Sequence, residues 1–211
     1  MAHHIMWYST NLPSELVDGI VGNLEDVNDD HMEESVLGVD GNINYKIRKS
    51  ANVWLPVSTW VGQLIFSYIE RANKENFLYD IDHIEYDSMQ YTKYGVGEYY
   101  NWHTDGDLSI YQAPVNMNLY NIDMIPQSEL YINLKAEKIR KLSFSLQLSD
   151  PDDYEGGNLQ MQYGCGNPLF YAPRIKGSLT IFDSRVQHRV KKVTKGVRRS
   201  LVGWVSGPRW R

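Results

Sequence analysis

His103 and Asp105 stand two residues apart in the stretch Tyr94-Gly-Val-Gly-Glu-Tyr-Tyr-Asn-Trp-His-Thr-Asp-Gly-Asp107. Alternate side chains of a β-strand leave the same face, so an imidazole and a carboxylate at this spacing can reach one metal ion. A second imidazole would complete a 2-His-1-carboxylate triad, a ligand set that suits non-haem Fe(II) and leaves three coordination positions open. His188 is the candidate. An HxD matches often by chance, and a hydrogen-bonded surface pair is the plain alternative, so the surroundings of His188 carry weight.

Downstream, Gly177-Ser-Leu-Thr-Ile-Phe-Asp183 reads as a buried strand and Arg185 to Gln187 as a short turn. The stretch from His188 to Trp204 reads as a hairpin around Lys195-Gly196. In its second arm period 2 puts Arg198, Ser200, Val202 and Trp204 on one face. An Arg and a Ser beside the second His can clamp a carboxylate.

The elements that must position these groups are legible in part. Pro13 opens a helix whose apolar positions, Leu16, Val17, Ile20, Val21 and Leu24, recur at helical spacing. A second helix is expected from Val57 or Ser58 to Asn73, with Val61, Leu64, Ile65, Tyr68 and Ile69 inward. Tyr45 to Lys49, Ile81 to Tyr86, and Ser88 to Tyr94 read as strands, the last leading into the HxD stretch. Parity there groups Tyr99, Asn101, His103 and Asp105 and sets Tyr100 opposite, with Gly97 a place for a bulge. Leu108 to Ala136 shows no clean period and reads as a lid or substrate-facing insertion. Lys141 to Ser149 alternates, with Leu142, Phe144, Leu146 and Leu148 to one side and Ser143, Ser145 and Gln147 to the other. Asp150 to Gly157 has turn composition without the ligand order of a Ca²⁺ loop, and Asn158 to Tyr163 returns as a strand.

At 211 residues, 42% hydrophobic and 22% charged, the chain suits one domain, 1–211. Within it we expect an N-terminal helical part, 1–80, and a catalytic β core, 81–207. No apolar run approaches the length of a membrane span and no basic-then-apolar leader opens the chain. With a single cysteine, Cys165, which reads as a loop residue rather than a nucleophile, this points to the cytoplasm. The net charge of −5 is unevenly placed: nine acids and no Lys or Arg in the first forty residues, against eleven basic residues and Asp183 alone from Arg174 to Arg211. Such asymmetry can mark an anionic partner, but solvated faces are the more economical account.

Four pieces together resemble a known family: Tyr94-x-x-Gly97-x-x-Tyr100-x-x-His103-x-Asp105; Leu148-Ser-Asp-Pro followed by Glu155-Gly-Gly157; Gly177-Ser-Leu before Phe182; and His188 with Gly196-x-Arg198-x-Ser200-Leu201 ending in Trp204. In order and spacing they are similar to the 2-oxoglutarate- and Fe(II)-dependent oxygenases, in the prolyl 4-hydroxylase branch with its bacterial and phage PKHD-type members. The resemblance implies a mainly β fold with flanking helices, a double-stranded β-helix or jelly-roll. It implies that His103, Asp105 and His188 ligate Fe(II), that Arg198 pairs with the C5 carboxylate of 2-oxoglutarate, and that Tyr94 and Ser200 assist it. Trp204 and Tyr100 match substrate-pocket positions, although parity sets Tyr100 against His103. The cosubstrates implied are 2-oxoglutarate and O₂, with ascorbate as a candidate further cofactor, and the expected substrate is a prolyl residue of a protein or peptide. Rival readings are an oxygenase for a small molecule or nucleobase, a catalytically silent jelly-roll binding module, and a zinc hydrolase. Nucleobase demethylases of this superfamily carry a second Arg six residues beyond the first; Trp204 stands there instead, which argues against nucleic acid.

Overall fold

A computed structural model describes residues 6–25, 32–34, 48–85, 88–106, 138–162 and 168–210. The segment 108–136, His31 and Cys165 lie outside these residues. Two sheets face each other. The larger runs in the order β1 (Trp7–Asn11), β12 (Ser178–Asp183), β8 (Lys138–Gln147), β15 (Arg198–Pro208), β6 (Ser88–Tyr94), β4 (Ala51–Pro56) and β2 (Glu33–Glu34), with β5 (His83–Ile84) also on β15. The smaller runs β11 (Phe170–Tyr171), β10 (Leu159–Gln162), β13 (Gln187–Val190), β7 (Tyr99–His103) and β3 (Arg48–Lys49), and a separate ladder joins β14 (Val193–Gly196) to β9 (Tyr154–Gly156). All the ladders are antiparallel. Neighbouring strands come from distant parts of the chain, which is the double-stranded β-helix expected from the sequence.

The helices form where the apolar period placed them. Helix α1 (Ser14–Glu25) follows Pro13, and α2 (Trp60–Ala72) starts at Thr59, whose hydroxyl accepts from the Gly62 amide at 3.5 Å. A five-residue π-turn, Asn73–Phe77, extends α2, and Leu78 closes it in the left-handed region at φ 57°. Val17, Ile20 and Leu24 of α1 and Ile65 and Ile69 of α2 are buried against the outer face of the larger sheet, in one cluster with Leu142, Leu146, Leu179, Ile181, Leu201 and Val205. This burial removes the apolar stripe of each helix from water, the main source of stability for helices of this length. A second cluster, containing Tyr94, Leu159, Met161, Phe182, Val190 and Val193, fills the space between the sheets. The first 80 residues also supply β1 and β4 to the larger sheet, strands that the helical reading of this region did not include.

The hairpin expected from His188 to Trp204 is absent. Strand β13 pairs with β10 and β7 in the smaller sheet, whereas β15 pairs with β6 and β8 in the larger one, and β14 between them turns aside to β9. Alternation specifies which face a side chain takes but not which strand lies alongside, so adjacent strands in sequence were read as adjacent in space. Gly196 at φ +68° stands just before β15, and a Cβ there would lie 1.9 Å from the Asp153 carbonyl oxygen. In consequence His188 and Arg198 come from opposite sheets.

Candidate active site

The site is built between the sheets at the β7–β13 ladder, where His103 and His188 are direct cross-strand partners. Their rings lie 4.1 Å apart, and Phe182 packs edge-on to His188 at 4.7 Å. Asp105 lies beyond the end of β7, not on the strand. Its amide and that of Gly106 both donate to the Ser184 carbonyl, at 3.0 and 2.8 Å, so the turn after β12 holds the carboxylate in place. The Asp105 oxygens stand 3.7 Å from His103 Nε2 and 3.4 Å from His188 Nε2. One ligand atom from each of the three residues falls within a set no wider than 4.8 Å, the only such grouping of three or more His, Cys, Asp or Glu among the described residues.

The donor set fits a metal. His103 Nδ1 lies 2.7 Å from the Asn101 carbonyl and His188 Nδ1 lies 3.0 Å from that of Val186. A carbonyl only accepts, so each Nδ1 carries the proton and each Nε2 presents a lone pair to the shared space. Burial, reinforced by His188, pushes the His103 imidazole down to about 3, against the opposing pull of Asp105, so the ring is neutral at ordinary pH. Burial alone would raise the Asp105 carboxyl, but the two imidazoles, a hydrogen bond from Ser143 and the Arg140 guanidinium outweigh it and hold it below the usual range. Two imidazoles whose Nε2 atoms face the same space, and one carboxylate beside a pocket, match a facial triad for Fe(II).

That pocket holds about 480 Å³ of empty space, continuous with solvent at its mouth. Tyr94, Tyr100, Arg198, Ser200 and Trp204 all line it together with the three metal-type ligands, so every site residue predicted from the sequence meets in one place. Arg198 is buried and opposes Tyr94 across the β6–β15 ladder. Its Nη1 donates to Ser200 Oγ at 3.3 Å. Burial lowers its pKa, partly offset by Tyr94 and Tyr154. Gly157, at φ +60°, makes room for it: a Cβ there would lie 3.2 Å from Arg198 Cδ. Val202 lines the pocket as period 2 requires, and Arg199 does not.

Tyr100 corrects the parity reading. Its ring stacks on His103 with centroids 3.5 Å apart and planes within 15°, and Asn101 is the exposed residue. The ladder explains this: His103 opposes His188 but Tyr100 opposes Val190, three residues on β7 against two on β13. The bulge therefore lies inside β7, not at Gly97, and returns Tyr100 to the face of His103. Burial raises the Tyr100 phenol to about 12.

Ser145, from the small-polar face of β8, also lines the pocket, as do Arg48 and Gln90, to which no sequence pattern points. Arg48 sits on the short strand β3 opposite Tyr100, with its guanidinium 4.9 Å from the Tyr100 ring centroid. Trp54 of β4 packs on Trp204 at 6.1 Å, and Arg140 lies over the Trp204 ring at 4.2 Å while pairing with Glu85. No sequence spacing links Arg48 or Trp54 to the HxD stretch; the pairing of β3 with β7 and of β4 with β6 brings them in.

Comparison with known proteins bears on the same region. Residues 89–206 match the model of the 2OG-Fe(II) oxygenase superfamily. A PKHD-type hydroxylase of Parvibaculum lavamentivorans is 45% identical over 64 residues, 30% of this chain and 28% of that protein. One from Picosynechococcus sp. is 28% identical over 172 residues, 79% of this chain and 66% of that protein. The first of these alignments thus spans little more than a quarter of its relative. Among solved structures, a Pseudomonas putida prolyl-4-hydroxylase superposes with a TM-score of 0.65 at 17% identity, covering 97% of this chain and 93% of that one. A prolyl hydroxylase from Trichoplax adhaerens, in complex with a hypoxia inducible factor peptide fragment, gives 0.67 at 17% identity, covering 94% and 82%. At such identities the structures speak for the fold. The matched region runs from β6 through the HxD stretch, His188 and Arg198 almost to the end of β15, and by that match the chain belongs to the 2OG-Fe(II) oxygenase superfamily.

Proposed function

We propose that this chain is an Fe(II)- and 2-oxoglutarate-dependent dioxygenase that hydroxylates a C–H bond of a prolyl residue in a peptide or protein. The observation that carries the reading is the meeting of His103, Asp105 and His188 with the buried Arg198 in one pocket. Iron bound there supplies the coupling of oxidative decarboxylation of 2-oxoglutarate by O₂ to hydroxylation, one oxygen atom ending in succinate and the other on the substrate. The three side chains hold the metal, with the imidazole tautomers already set by the Asn101 and Val186 carbonyls. Arg198 receives the C5 carboxylate of 2-oxoglutarate; Tyr94 lies beside it, and Ser200 steadies the guanidinium. The apolar walls from Phe144, Phe182 and Val190 keep water from the reacting carbon.

For the substrate, support comes from the PKHD-type hydroxylase relatives and from a wall suited to a five-membered ring, with Trp204 backed by Trp54 beside Tyr100. A proline-containing segment is already stiff and loses little entropy on entering such a groove. Among the described residues no helix is long and apolar enough to cross a membrane.

The test supplies Fe(II), 2-oxoglutarate, O₂ and ascorbate as reductant, with proline-containing peptides and free proline side by side, and follows succinate and the gain of one oxygen by mass. His188→Ala and Asp105→Ala are expected to abolish succinate formation while leaving the circular dichroism spectrum unchanged. Full turnover in either variant overturns the triad. Oxidation of a nucleobase or small metabolite, with every peptide untouched, overturns the prolyl substrate and leaves the dioxygenase standing.

A further inference from the structure

The charges lining the pocket do not cancel. Among the described residues only Asp105, Arg198 and Arg48 contribute formal charge to it. On the proposed reading, Fe(II) and the 2-oxoglutarate dianion neutralise each other, and Asp105 offsets one of the two guanidiniums. Arg198 is committed to the cosubstrate. One positive charge is left over, and it belongs to Arg48.

Arg48 is buried, with a relative exposure of 7%. The hydrogen bonds that hold it are to neutral groups, Nε to Ser50 Oγ at 2.9 Å and Nη2 to Gln90 Oε1 at 2.8 Å. Among the described residues no carboxylate lies within ion-pair distance of it. These two bonds occupy two of the five guanidinium donors, and the one to Gln90 ties the smaller sheet to the larger. The Tyr100 ring lies under the guanidinium and stacks on His103, so Arg48 stands one aromatic ring away from a metal ligand. A buried guanidinium is costly without an anion, and one fixed in a binding pocket by neutral partners is set to receive one.

Resting on the dioxygenase reading above, we propose that Arg48 is a substrate-recognition residue that binds a carboxylate carried by the substrate close to the hydroxylated carbon. The chemistry is shared by three sources: a free amino acid, the C-terminal residue of a peptide, and an acidic side chain beside the target.

The experiment uses the whole 211-residue chain loaded with Mn(II), which does not turn over, and saturating 2-oxoglutarate, and reads ligand binding from Mn(II)-induced broadening of ligand proton signals. N-acetyl-L-proline is compared with N-acetyl-L-prolinamide, which differs only in the charge. The acid is expected to bind at least about tenfold more tightly, as a charge-assisted guanidinium pair requires. Arg48→Gln should erase the preference, and Arg48→Lys should restore part of it, since an ammonium keeps the charge but not the planar fork. L-proline and N-acetyl-L-prolyl-L-glutamyl amide, run in parallel, tell the three sources apart. No binding of the acid, equal binding of acid and amide, or a preference that survives Arg48→Gln would overturn the proposal. A purely structural Arg48 would instead weaken acid and amide alike, and an Arg48 that held the cosubstrate would show as lost 2-oxoglutarate affinity in the same samples. Failure of the unaltered protein to load Mn(II) and 2-oxoglutarate at all would count against the dioxygenase reading itself.

Discussion

His103 and His188 share one device: each ring gives its Nδ1 proton to the carbonyl two residues earlier in its own chain, leaving Nε2 for the metal. A strand residue can reach its own i−2 carbonyl without help from elsewhere, so the local sequence itself sets the tautomer. This is also why the ligands were legible early. Residue type and spacing pointed to His103 and Asp105, the family resemblance completed the set with His188, and period 2 along β15 separated Arg198 from Arg199. The separation yields a prediction. Arg198→Ala removes a desolvated charge-assisted pair worth about 2–5 kcal/mol, which at about 1.4 kcal/mol per decade is roughly a thirtyfold loss of 2-oxoglutarate affinity or more. Arg199→Ala should leave that affinity nearly unchanged, because Arg199 does not line the pocket, and its backbone bonds to Ser149 Oγ and the Leu148 amide survive the substitution. Calorimetric titration of the Mn(II)-loaded variants decides, and equal losses at the two positions would contradict the register. Tyr100 was harder to read because a bulge changes parity without changing composition, and Arg48 harder still because nothing in a two-residue strand marks its partner.

Elements show the limit of sequence reading more sharply. Helices α1 and α2 follow their apolar period to within a few residues, since a helix is specified locally. Strand identity was readable for β6, β8 and β12, but strand partnership was not: β13 and β15 are neighbours in sequence and belong to different sheets. The contact that lets β8 and β15 lie together is legible only in three dimensions. Gly203 opposes Phe144, and a Cβ on Gly203 would fall 2.7 Å from Phe144 Cζ, at the face where the aromatic ring crosses the ladder. Gly203→Ala is therefore expected to destabilise the protein by about 1–3 kcal/mol through overpacking, read as a lower denaturation midpoint in guanidinium with an unchanged slope. An unchanged midpoint would show that the ring moves aside at no cost.

For the molecule as a whole, one buried acid outside the pocket closes the structure. Asp183, at the end of β12, accepts from the Tyr79 hydroxyl at 2.7 Å and pairs with Arg185 at 2.6 Å, and Trp210 near the C-terminus packs on both Tyr79 and Arg185. Burial would raise the Asp183 carboxyl, but Arg185 and Tyr79 together hold it below its ordinary value of 3.8. A carboxyl whose folded pKa is depressed contributes stability that is present above its unfolded pKa and drains away as the pH falls through the folded one. Asp183→Asn should therefore cost most near neutrality, toward the low end of about 3–5 kcal/mol because Arg185 is partly exposed. Thermal denaturation from pH 7 to pH 3 should show the gap to the unaltered protein narrowing below about pH 4; a gap constant with pH would mean the charge contributes nothing. The division of the site between two sheets has its own consequence. The two imidazoles stand on the smaller sheet and Arg198 on the larger, so on the proposed reading the cosubstrate is gripped like a rod in a caliper. The opening of that caliper is set by residues such as Leu159, Phe182 and Val190 that fill the gap between the jaws. Discrimination between 2-oxo diacids of different carbon number then becomes a property of how the interior packs, exercised at a distance by side chains that make no hydrogen bond to the cosubstrate.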